Sequence, residues 1–144
     1  MTEQIYYEDV EVGAELHTIV KTPTTQQLVM YAGASGDFYQ IHYDKDYALN
    51  NNLPGVIVHG LLTTAFVGQA VTDWMGPAGI LKKFGVQFRG MMFPNEDITV
   101  RGKITRKHIE DGEHLVECEV WAENPRGERC TPGKAVVALP SRKR

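Results

Sequence analysis

The residues best equipped for chemistry lie between positions 31 and 44, in the stretch Tyr31-Ala32-Gly33-Ala34-Ser35-Gly36-Asp37-Phe38-Tyr39-Gln40-Ile41-His42-Tyr43-Asp44. Asp37 and His42 stand out. A carboxylate and an imidazole that share a water can act as base and acid, one accepting a proton while the other donates one. Five residues apart, the two would point to different sides of a regular helix or strand, but a loop that begins at Gly36 can turn both toward one pocket. Spacing alone equally allows a turn-capping Asp37 and a surface His42.

A second segment, Val56-Ile57-Val58-His59-Gly60-Leu61-Leu62-Thr63, runs from extended apolar residues into what reads as the start of a helix. A helix N-terminus carries unpaired N–H donors and the positive end of the dipole. Glycine at that point lets a substrate carbonyl approach the Gly60 N–H, the geometry of an oxyanion hole. The alternative reading is a packing glycine beside a structural His59.

The elements that must hold these segments follow from patterning. Residues 15–20 are rich in β-branched side chains and predict a strand that Pro23 ends. Thr24 and Gln27 have capping-box spacing, so a helix is expected over 24–34, with Gly36 closing it. Residues 37–58 hold Asn50, Asn51, Asn52, Pro54 and Gly55, predicting an irregular loop interrupted by a short helix near 46–50. The run from Gly60 to about Met75 is apolar on nearly every face, which describes a helix surrounded by protein. Strands are then expected over 80–92, 97–108, 114–122 and 134–139. One buried helix followed by a strand meander implies an α+β fold, a curved antiparallel sheet wrapped around that helix. The open edges of such a sheet favour pairing of copies, a homodimer or a larger homo-oligomer. Tyr6, Tyr7, Phe84, Phe88 and Trp121 are expected in the core or a dimer seam, and Met91-Met92-Phe93 in ordinary packing, with the lining of a hydrophobic tunnel as the alternative.

Composition narrows the function. The 144 residues fit one domain, 1–144, with a core over about 5–140 and a basic tail over 141–144. Lys and Arg number 15 against 18 Asp and Glu, a net charge of −3 that gives no basic excess for nucleic acid. Lys82, Lys83, Arg89 and Arg101 could meet phosphates or simply face solvent. Cys118 and Cys130 are too few for a disulfide framework or a four-ligand zinc site. His17, His108 and His114 lack partners at metal-ligand spacing. Residues 1–20 hold five acidic residues and no long apolar core, and no stretch approaches the ~20 apolar residues of a membrane span. A cytoplasmic protein away from membranes is the expectation. Glycine-rich dinucleotide and phosphate loops and the Gly-x-Ser-x-Gly elbow are all absent from the sequence.

Ser35-Gly36-Asp37, Ile41-His42-Tyr43-Asp44 and Val58-His59-Gly60-Leu61-Leu62-Thr63 together resemble the signature of the MaoC-like dehydratases, the (R)-specific enoyl-CoA hydratase family. The resemblance covers residues 5 to 140 and implies the hot-dog fold. It implies a hydro-lyase that reversibly adds water across a trans-2-enoyl thioester, linked to CoA or an acyl carrier protein, giving a 3-hydroxyacyl thioester. It assigns the catalytic pair to Asp37 and His42, the oxyanion contact to Gly60, and supporting places to Ser35, Asp44 and His59, with no metal or other cofactor. The family commonly has Asn and Pro where this chain has Tyr39 and Gln40. That departure removes a rigid φ and a short amide from the loop. Two other readings stay open: a catalytic or pocket-shaping subunit of a heteromeric hot-dog dehydratase, and a hot-dog acyl-CoA thioesterase.

Overall fold

The computed structural model describes residues 3–143. Strand β1 (Ile19–Lys21) leads into helix α1 (Thr25–Ser35), a single helical turn at Gln40–His42, helix α2 (Lys45–Asn50) and the long helix α3 (Gly60–Met75). Four strands follow: β2 (Ile80–Val86), β3 (Ile98–Glu110), β4 (Glu113–Glu123) and β5 (Arg129–Ala138). They form one antiparallel sheet in the order β1-β3-β4-β5-β2.

The sheet curls around α3 as its alternation dictates. Val116, Cys118, Val120 and Ala122 of β4 turn inward, joined by Val100 and Ile104 of β3 and by Ala135 and Val137 of β5. Leu62, Phe66, Val67, Ala70 and Val71 of α3 meet them. Each fully buried aliphatic side chain contributes about 1.5–3 kcal/mol, so this contact fixes where the first turn of α3 stands. The β3–β4 hairpin closes on Asp111 and Gly112, whose φ values of 51° and 77° give the two left-handed residues that a tight hairpin turn requires.

Local signals place the segments before α3. The Thr24 hydroxyl accepts from the Gln27 N–H at 3.1 Å, and Gly36 ends α1 in the left-handed region at φ 79°. Asp44 caps α2 by accepting from the Tyr47 N–H at 3.1 Å. Both helices and α3 lie where their sequence predicts.

The strands differ in extent. Residues 15–18 do not continue β1; Glu15 makes only an isolated bridge to Lys103. β2 ends at Val86 instead of reaching 92: the Gln87 and Arg89 N–H groups still donate to the Pro132 and Cys130 carbonyls, while Phe88, Gly90, Met91 and Met92 line a cavity. β5 begins at Arg129, five residues before the expected 134, passing through Pro132, which lacks an N–H but accepts at its carbonyl from the Gln87 N–H at 2.8 Å. Phe88 is 58% exposed and stands outside the core, whereas Trp121 is buried at 9% exposure beneath the Arg129 guanidinium, apart from the cluster around α3. Nor is the basic tail free: Arg142 bonds Asp9 at 2.9 Å and lies over the Tyr6 ring. No helix among the described residues is long and apolar enough to cross a membrane.

Candidate active site

Three segments converge at the first turn of α3. Ile57 ties two of them together: its N–H donates to the Ile41 carbonyl at 3.1 Å, and its own carbonyl accepts from His42 Nδ1 at 2.8 Å. Val58 N–H donates to the Met92 carbonyl at 2.8 Å and brings in the segment after β2. These bonds hold a cavity of about 340 Å³ lined by Asp37, His42 and Gly60, with Leu61, Phe88 and Met91 among its apolar walls.

The His42 bond to a carbonyl settles the imidazole's orientation. A carbonyl only accepts, so Nδ1 carries a proton and Nε2 is the atom turned to the cavity. Nε2 stands 3.9 Å from Asp37 Oδ2. That gap exceeds a direct hydrogen bond and suits one water touching both groups. His42 is 7% exposed, whereas the Asp37 side chain is 40% exposed. Asp37 is placed by its own turn: its N–H donates to Ser35 Oγ at 3.2 Å, Ser35 Oγ–H donates to the Tyr31 carbonyl at 2.7 Å, and Asp37 Oδ1 accepts weakly from the Tyr39 N–H at 3.4 Å.

Gly60 begins α3, and His59 before it supplies no side-chain cap, so the N–H groups of the first turn keep their hydrogen-bonding capacity. A Cβ added at Gly60 would lie 3.0 Å from the Phe88 ring, so the glycine keeps this approach open.

His59 is wholly buried. Its ring stacks on His42 with centroids 3.9 Å apart and 20° between planes, and Tyr31 meets it edge-on at 4.7 Å. Neither ring nitrogen has a hydrogen-bond partner of normal geometry. Burial pushes the His59 imidazole below its ordinary value of 6.5, and His42 adds to this, while the nearby Asp37 backbone carbonyl and carboxylate oppose it. An unfolded chain therefore takes up a proton here at a pH where the folded chain does not. The resulting stability is complete above about pH 6.5 and is lost as pH falls toward the folded value. The melting-temperature advantage of the native protein over His59→Gln should accordingly shrink between about pH 7.5 and about pH 5. An advantage that stays constant or grows in acid would contradict this assignment.

Asp37, His42 and His59 each bring a ligating atom within 4.8 Å of the others. His42 Nδ1 is committed to the Ile57 carbonyl, so only Nε2 of that ring is open to a ligand of this group.

The structure thus brings Asp37, His42, Gly60, His59 and Ser35 together; Asp44 stands one step back as the cap of α2. Sequence patterns did not mark the Ile57 carbonyl, Phe88 or Thr131 as parts of this cavity. The first acts through its backbone, and the others reach the site through chain reversals that no periodicity encodes.

A curved antiparallel sheet wrapped round a central helix is the hot-dog fold. Residues 9–124 match the sequence profile of the MaoC like domain, so the chain belongs to the MaoC-like dehydratase family. It is 29% identical over 120 residues to the 3-oxo-4,17-pregnadiene-20-carboxyl-CoA hydratase beta subunit of Mycobacterium tuberculosis, covering 83% of this chain and 90% of that one. The (R)-specific enoyl-CoA hydratase of Rhodospirillum rubrum is 26% identical over 101 residues, 69% of each chain. It also matches fungal fatty acid synthase beta subunits, of whose length it spans only 4% to 6%. The unliganded R-hydratase PhaJ1 of Pseudomonas aeruginosa shares the fold, with a TM-score of 0.87 and 24% identity over 97% of this chain and 88% of that one.

Proposed function

We propose that the protein is a hydro-lyase that adds water reversibly across the C2–C3 double bond of a trans-2-enoyl thioester. The observation that carries this reading is the 3.9 Å separation of Asp37 Oδ2 and His42 Nε2 on the cavity that Gly60 also lines.

Water held between the two groups lies where a double bond can be presented to it. Asp37 takes a proton from the water as its oxygen bonds to C3. The π electrons move toward C2 and the thioester oxygen, whose growing charge the Gly60 N–H stabilises. The imidazolium form of His42 gives its Nε2 proton to C2. The proton on Asp37 then returns to His42, and the net change is one water added. His59, kept neutral by burial, holds the plane of His42 so that Nε2 stays aimed at the cavity. Ser35 fixes the turn that carries Asp37, and Asp44 anchors the far side of the loop through α2. Leu61, Phe88 and Met91 form the apolar wall for the acyl chain. The reaction as written uses only side chains and backbone of this chain, with no metal or other cofactor.

Tyr39 packs edge-on to His42, with centroids 6.1 Å apart, so an aromatic ring does the packing in a loop that lacks the family's Asn-Pro pair. A heteromeric arrangement is the second reading, favoured by the beta-subunit relative and by the exposed edge strands β1 and β2. A pairing of two copies through such an edge fits the same observation.

Mixing the purified protein with trans-2-enoyl-CoAs of increasing chain length tests the activity directly. Hydration removes the enoyl-thioester absorbance without releasing thiol. Thiol release in its place would identify a thioesterase, and silence over the whole panel from folded protein would leave the hydratase reading to a mixed assembly with a second hot-dog chain.

A further inference from the structure

The Nδ1–H bond to the Ile57 carbonyl settles which nitrogen of His42 faces the cavity, but one bond leaves the ring free to swing about it. Rotation of an imidazole about its Cβ–Cγ bond is intrinsically soft, so its neighbours must set where Nε2 stands. His59 stacks on one face and limits the tilt. Stacked planes can still slide over one another. The ring that reaches His42 from another direction is Tyr39, which meets it at 85° with centroids 6.1 Å apart and stands in the way of such a slide.

Tyr39 also spans the pair through its backbone. Its N–H donates weakly to Asp37 Oδ1 at 3.4 Å, and its carbonyl accepts from the His42 N–H at 3.1 Å. The residue lines no part of the cavity, so it reaches the reaction only through Asp37 and His42. At 53% exposure its ring needs a backing to hold its place, and Tyr47 supplies one, meeting it at 73° with centroids 6.2 Å apart. Tyr47 is itself anchored in α2: its N–H donates to the capping Asp44 carboxylate at 3.1 Å, and its carbonyl accepts from Asn51 Nδ2 at 2.8 Å. Tyr31, His59, His42, Tyr39 and Tyr47 thus form one run of ring contacts from α1, past the start of α3, to α2.

We propose that Tyr39 is a positioning residue: its ring, backed by Tyr47 on α2, holds the His42 imidazole so that Nε2 stays opposite Asp37 Oδ2. This role rests on the hydratase reading and adds to it the residue that keeps the acid in place. Asp44 enters the same chain of contacts, since its cap fixes Tyr47, Tyr47 backs Tyr39, and Tyr39 backs His42. A proton donor that wanders from its acceptor loses rate steeply, because the geometry for transfer is met in fewer of its positions. Substrate binding loses little, because the Tyr39 ring touches no wall of the cavity.

The backbone N–H and carbonyl of Tyr39 survive any change of its side chain, so Tyr39→Ala reads the ring alone. Its kcat for an enoyl-CoA should fall about ten- to 100-fold with KM within about twofold of the native value. Tyr39→Phe keeps the ring and should keep most of the native kcat. Tyr47→Ala should show a smaller loss of the same kind, and adding it to Tyr39→Ala should cost nothing further, because it acts through Tyr39. A loss carried by KM, a Tyr39→Phe as slow as Tyr39→Ala, or a Tyr39→Ala with native kcat overturns the assignment. Nuclear magnetic resonance adds a readout that needs no turnover, the exchange with solvent of the buried His42 Nδ1 proton. That exchange should be about tenfold faster in Tyr39→Ala and native in Tyr39→Phe. Native exchange in Tyr39→Ala overturns the positioning role. A native protein that hydrates no enoyl thioester while the exchange pattern holds counts against the hydratase reading and leaves the hold of Tyr39 on His42 standing.

Discussion

Asp37→Asn should lower enoyl-thioester hydration by about 100- to 10,000-fold while leaving the melting temperature close to that of the native protein. One atom changes and the base disappears, because an amide cannot take the proton that water must lose. The asparagine still offers an oxygen to the Tyr39 N–H, the weak 3.4 Å bond that Asp37 makes, and the side chain is 40% exposed, so the fold has little to lose. Surface changes of this kind stay within about 0.5 kcal/mol. A rate near that of the native protein would exclude Asp37 as the base.

His42→Ala should lose activity on the same scale but with a different stability signature. The imidazole is 7% exposed, its Nδ1–H satisfies the Ile57 carbonyl at 2.8 Å, and its face covers His59. Its removal leaves a buried acceptor unpaired, which costs about 1–3 kcal/mol, and uncovers a ring that itself has no hydrogen-bond partner. His42→Ala should therefore melt several degrees lower, whereas Asp37→Asn should not. Chemical unfolding of the two variants side by side reads the difference. Equal destabilisation of both would mean that Asp37, too, is a structural residue.

Much of this architecture was legible because local rules and global packing agree. Thr24 and Gln27 announced the start of α1, Gly36 its end, and the unbroken apolar run after Gly60 the central helix. The strand limits were less legible. Residues 87–92 continue the apolar alternation of the strand before them, and Gln87 and Arg89 still bond β5 through their N–H groups while Phe88, Gly90, Met91 and Met92 turn to the cavity. Pro132 and Gly133 argue against a strand, yet β5 sits between two neighbours that supply its other hydrogen bonds.

The site shows the same division. Asp37, His42 and Gly60 could be singled out by residue type and spacing, and the fold puts all three on one cavity. What the sequence does not carry is which nitrogen of His42 faces the substrate. That depends on a backbone carbonyl fifteen residues away, the Ile57 acceptor. The stacking of His59 on His42 also arises only when distant segments meet.

The most direct test of an acid–base pair acting on one shared water is the hydration rate of four proteins: native, Asp37→Asn, His42→Ala and the double variant. Groups that act as a unit lose nearly everything with the first deletion. The native protein should turn over enoyl-CoA, and all three variants should fall to about the same low rate. A double variant that falls by the product of the two single losses, or single variants that keep near-native rates, would contradict the assignment of Asp37 and His42 as that pair.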